Sequence, residues 1–161
     1  MKVLLVSASP GFTGQVTTAM TDGDQVSYTE VRRPERALAI LDEGEPFDIV
    51  LADNDTQPTG GFYLAREMKA RMRMGVELPP VLLAVAREQD DYLARWSEAD
   101  AWILKPLDPF DLAEAVEALV ERRPMPRLPG VKTFEQMGAI KGPGQAGGEL
   151  PAPPEAKAQV E

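Results

Sequence analysis

The sequence predicts an α/β fold, a doubly wound parallel sheet of five strands in the order 2-1-3-4-5. Three observations predict it. Apolar runs at residues 3–6, 49–51, 81–86 and 101–104 are short and bounded by turn residues, as strands buried on both faces are. The stretches between them carry apolar residues at helical spacing. Strand and helix alternate at short intervals, which calls for right-handed crossovers and therefore parallel pairing. For five strands wound this way, 2-1-3-4-5 is the usual order.

Residues 2–6 read as the first, central strand, and the loop 7–11 leads to a helix that turns Phe12, Val16, Ala19 and Met20 inward. Asp22, Gly23 and Asp24 make a turn. Residues 26–31 alternate apolar and polar (Val26, Tyr28, Val31), the pattern of an edge strand. Pro34 suits the first turn of the second helix, which buries Ala37, Leu38 and Leu41 and stops at Gly44. Residues 47–53 form the third strand and end on Asp53, at the carboxyl edge where ligands of open parallel sheets gather. A loop with Pro58, Gly60 and Gly61 opens the third helix, which runs through Leu64, Ala65, Met68 and Met72. The fourth strand covers 81–86, and the helix over 88–98 has Tyr92, Leu93 and Trp96 as its apolar side. The fifth strand ends at Lys105-Pro106. Asp108 then caps a helix that buries Phe110, Leu112, Ala113, Val116, Leu119 and Val120.

At 161 residues the chain is expected to hold one domain, residues 1–123. Its net charge of −9 speaks against a nucleic-acid surface, which needs clustered Lys and Arg. With no Cys there is no thiolate chemistry, and with no His there is no imidazole base or ligand. No apolar run is long enough for a signal-peptide core or a membrane span, so a cytoplasmic protein without a membrane partner is expected. Residues 124–161 hold seven Pro and six Gly, too little apolar surface to offset the entropy of ordering, and are expected to be mostly disordered. Within them Leu128, Val131, Phe134, Met137 and Ile140 recur every three residues, and Thr133 with Gln136 fits a capping box. Residues 128–140 are either a chance cluster or a short segment that docks on the domain or on a partner.

Three landmarks carry a resemblance. Asp53 closes the third strand, Gly61-Phe62 follow at the family's distance, and Lys105-Pro106 close the fifth strand. Over residues 1–122 the chain resembles the receiver domain of bacterial two-component response regulators, a flavodoxin-like three-layer sandwich. The resemblance implies Asp53 as phosphoacceptor, Lys105 as its lysine, a cis Lys105-Pro106 bond and Trp102 as the switch aromatic. A packed edge-strand aromatic accounts for Trp102 equally well. The resemblance also implies no enzyme activity and a protein partner, either a histidine kinase or a regulatory target. That partner, or a second copy in a homodimer, is expected on the face of the fourth helix, fifth strand and fifth helix.

The departures carry as much information. Ser7-Ala8 stand where the family has the acidic pair that holds magnesium, and Val85 stands where it has Thr or Ser. Asp53 alone remains of the family's three carboxylates, with Asp55 as the only nearby acid that a metal would recruit. The expectation is no cofactor beyond a weakened magnesium site. Facing one carboxylate rather than three, Lys105 is expected to form a standing ion pair with Asp53, with weak or no magnesium-dependent phosphorylation. Two readings stay open beside this one for Asp53: a working phospho-switch served by a histidine kinase, or a structural strand-end cap. For the loop 7–14, hydroxyls and glycines before a helix also read as a flavin or nucleotide phosphate loop, against which stand Pro10 and the lack of a P-loop lysine.

Overall fold

A strand of four or five apolar residues has two faces to hide, so it is stable only inside a sheet covered from both sides. The computed structural model describes residues 1–20, 25–56 and 59–139 and shows that arrangement. Strands β1 (Lys2–Val6), β2 (Ser27–Val31), β3 (Ile49–Asp53), β4 (Val81–Val85) and β5 (Ala101–Leu104) are parallel in the order 2-1-3-4-5. A sixth strand, β6 (Val131–Thr133), adds itself antiparallel on the outer edge of β5. The helices are α1 (Pro10–Ala19), α2 (Pro34–Asp42), α3 (Gly60–Arg73), α4 (Asp91–Ser97), α5 (Pro109–Val120) and α6 (Phe134–Ala139).

Side chains alternating along the central strands feed two cores. Leu4, Val50, Ala52, Leu83 and Val85 pack with Leu38, Leu64 and Met68 on one face of the sheet. Val3, Leu5, Ile49, Leu51 and Leu82 pack with Phe12, Val16, Leu112 and Val116 on the other. Each fully buried Val, Leu or Ile contributes about 1.5–3 kcal/mol. These layers make the sheet rigid and hold the carboxyl ends of β1, β3, β4 and β5 in fixed register.

The structure departs from expectation in two helices. In α4 the buried residues are Ala94 and Ser97, while Tyr92, Leu93 and Trp96 are only half-buried. Trp96 lies beneath the Arg66 guanidinium, 4.9 Å from its ring centroid. Ala94 joins the core on the face of the sheet that holds Leu83, Val85 and Trp102. Phe110 is 66% exposed, because it precedes Leu112 by two residues, about 200° around the helix from the inward stripe of Leu112, Ala115 and Val116. The turn at 22–24, Pro58 and residues 140–161 lie outside the described residues. Within segment 128–140, β6 and α6 take shape and the capping box closes. Gln136 N donates to Thr133 Oγ1 at 3.1 Å, and Thr133 N donates to Gln136 Oε1 at 3.2 Å.

The entry to α3 is pinned beside the end of β3. Phe62 N donates to Asn54 Oδ1 at 3.0 Å, and Gly60 sits at φ +79 with room for no side chain. A Cβ there would lie 2.8 Å from the Asn54 carbonyl oxygen. Gly60→Ala is therefore expected to cost about 1–3 kcal/mol. Gly14→Ala, in α1 with nothing within 4 Å of the new methyl, is expected to gain up to about 1 kcal/mol. Urea unfolding midpoints of the two variants against wild type check the pair.

Candidate functional site

Parallel register brings the ends of β1, β3 and β5 to one edge. Val6 pairs with Ala52, which sets Ser7 beside Asp53, and Val85 pairs with Leu104, which sets Lys105 at the same level. Asp53 is 3% exposed, so its charge has to be met by protein donors. They come from three segments. Ser7 Oγ donates to Asp53 Oδ2 at 3.0 Å. Asp55 N donates to Asp53 Oδ1 at 3.0 Å, and Lys105 Nζ donates to the same oxygen at 2.5 Å. Both carboxylate oxygens are engaged.

Further bonds orient the donors. Ser9 N donates to Ser7 Oγ at 3.0 Å, which directs the hydroxyl hydrogen at Asp53. Lys105 Nζ also reaches Asp55 Oδ2 at 3.0 Å and lies 5.4 Å from the Phe12 ring centroid. Burial alone would lower the Lys105 pKa, but hydrogen bonds to Asp53 and Asp55, with their charges, outweigh it and raise the ammonium above its ordinary value. The Lys105-Pro106 bond is cis.

Ser7, Asp53, Asp55 and Lys105 thus converge, and other residues marked in the sequence do not join them. Ala8 is exposed, and Val85 is fully buried in the core. Trp102 is 1% exposed and packs inside the sheet, its Nε1 donating to Asp91 Oδ1 at 3.0 Å. Asp91 is the residue that sequence reasoning missed. Its other oxygen accepts from Lys132, 41 residues away, and such a pairing leaves no local signal. Thr56 is 2% exposed, and its hydroxyl has no hydrogen-bond partner among the described residues. Among those residues no group of three or more His, Cys, Asp or Glu is placed to hold a metal. No described helix is long and apolar enough to cross a membrane.

A response regulatory protein of Mycobacterium tuberculosis, found in two strains, is 31% identical to this chain over 99 residues. The match covers 62% of this chain and 71% of that protein. This chain belongs to the response regulator family. The response regulatory domain of protein mrkE from Klebsiella pneumoniae superposes with a TM-score of 0.64 at 18% identity, covering 76% of this chain and 97% of that one. The BeF3-activated receiver domain of DrrB gives 0.58 at 20% identity, with 75% and 97% covered. At these identities both show the fold, which is the receiver fold. No protein-family model matches the chain.

In this receiver, Lys105→Met would leave Asp53 buried without its cation. We expect a loss of about 1–3 kcal/mol, the penalty for a stranded buried charge reduced for the 24% exposure of the lysine side chain. Because the folded pKa of Lys105 is raised, its contribution is complete below the unfolded lysine value of about 10.4 and disappears as pH climbs through the folded value. Burial raises the Tyr28 phenol too and weakens the fold in the same alkaline window, but equally in both proteins. Urea melts from pH 8 to 11 are expected to show the gap between wild type and Lys105→Met narrowing only at the alkaline end.

Proposed function

We infer that this receiver signals by protein–protein contact from a state held by the Asp53–Lys105 ion pair, with weak or no magnesium-dependent phosphorylation of Asp53. The observation that carries the reading is the engaged carboxylate: Ser7, the Asp55 amide and Lys105 donate to both Asp53 oxygens at once. Magnesium needs near-octahedral oxygen ligands. The groups around Asp53 present hydrogens and a positive charge instead, so the residues present do not fit the ion. Ser7 gives a hydroxyl where the family has an acid, and Val85 has no hydroxyl to bind a phosphoryl oxygen.

The chain is, on this reading, a signalling domain without enzymatic activity of its own. Its partner is a protein, either a histidine kinase or a regulatory target. The net charge of −9 favours a partner with a basic patch and disfavours nucleic acid. One observation favours the rival phospho-switch. The Thr56 hydroxyl, three residues beyond Asp53, is buried without a partner and would be satisfied by an added phosphoryl oxygen.

An amide NMR titration with beryllofluoride and magnesium decides between the two. The wild-type spectrum is expected to stay unchanged around Asp53, Thr56, Val85 and Lys105. A Ser7→Asp, Ala8→Asp double variant is expected to gain magnesium-dependent shifts at these positions. Clustered shifts in the wild type would restore the phospho-switch and overturn the ion-pair reading.

A further inference from the structure

The end of the sheet opposite Asp53 carries a groove that the Asp53 site does not use. It lies under the starts of β4 and β5, between the last turns of α3 and α5 and the strap that follows α5 (residues 124–136), and it encloses about 870 Å³. Met72, Leu78, Leu119, Met125 and Phe134 give it apolar walls. Met72 is 38% exposed and Phe134 41%, and the turn after α3 leaves Met74 at 84% and Val76 at 45%. Exposed apolar side chains gathered in one place mark a surface that something covers.

Most charges on the rim are already answered. Lys69 holds Asp100 at 2.9 Å, Glu98 is held by Arg66 and Arg73, and Arg123 reaches Glu121 at 2.9 Å. Two are not. Among the described residues neither Arg122 nor Glu135 has an oppositely charged partner, and both line the groove. The occupant therefore has to bring apolar surface, an acid for Arg122 and a base for Glu135.

The chain itself supplies such a segment close by. The first turn of α6 forms part of the groove wall, and the six residues of that helix carry the chain only about 9 Å from it. Residues 140–148 follow, with glycine at 142, 144, 147 and 148, and a Gly-rich linker of that length spans about 16 Å on average. Glu149-Leu150-Pro151-Ala152-Pro153-Pro154-Glu155 come next, with Lys157 two residues beyond. Three prolines fix φ in this stretch, so it has little conformational entropy to lose on docking, and segments of this kind fit apolar grooves that carry an aromatic ring. We propose that the groove is the docking site of the chain's own residues 149–157, with Leu150 and the prolines on its apolar walls, the flanking acids against Arg122 and Lys157 against Glu135. A segment tethered this closely is present at an effective concentration on the order of 1 mM, so a contact of only about millimolar affinity keeps the groove half filled. The inference does not depend on whether Asp53 is phosphorylated, because the groove lies at the other end of the strands.

The chain has no cysteine, so Ala152→Cys gives a single attachment point for a nitroxide in the full chain. In amide NMR spectra the label is expected to remove about half or more of the intensity at Met72, Ala99, Arg122 and Phe134, while Ser7, Asp55 and Lys105 keep theirs. Proximity that comes from the tether alone is separated by changes in the tail, outside residues 1–139. Leu150→Asp, and the pair Glu149→Arg with Glu155→Arg, are each expected to restore the groove intensities. Broadening that persists in both variants, that falls on another face, or that is absent altogether would overturn the proposal. Mixing isotope-labelled chains that lack the nitroxide with unlabelled chains that carry it separates the remaining case. Groove broadening of equal size in that mixture would assign the groove to the tail of a second copy and sink the intramolecular contact.

Discussion

A carboxylate at 3% exposure cannot stay ionised in a protein without donors, and that requirement organises the top of this sheet. Asp53 draws its donors from the end of β1, from its own following loop and from the end of β5. The three segments are far apart in the chain and are locked together through one charge. Asp53 is in this respect a structural joint. Its hydrogen bonds lie where the parallel strands end, beyond the backbone ladders that hold the strands together lower down.

The balance of charge at the joint sets what it does. An empty site with three carboxylates and one lysine is anionic and invites a cation, whereas one lysine against Asp53 and the more exposed Asp55 leaves one negative charge fewer. The Ser7 hydroxyl completes the coordination of Asp53 without adding charge. This receiver has the fold of its family, with Ser7 and Lys105 donating to Asp53.

Asp91 is a second charged node, at the other side of β5. It joins the indole of Trp102 to the Lys132 of the strap, so the aromatic at the switch position is tied to a segment outside the five-stranded sheet. Buried at 1% exposure and hydrogen-bonded, Trp102 is part of the core in this state. The outer edge of β5 is here occupied by the chain itself, through the β6 ladder, the Asp91–Lys132 pair and the buried Val131.

Local pattern determined the strand and helix alternation and the placing of Asp53 and Lys105 at strand ends. Those features depend on residue spacing within a few turns of chain, which a single sequence displays. The tertiary structure alone decided which groups meet. Ser7 lies 46 residues from Asp53, and Lys132 lies 41 from Asp91, so each pairing depends on strand register and not on neighbours in sequence. The inward face of α4 was likewise settled by packing, which takes Ala94 rather than Trp96 into the core. Residues 131–133 lie within the threefold apolar spacing of 128–140, yet they became a strand because the β5 edge offered unpaired backbone groups to a chain already tethered beside it.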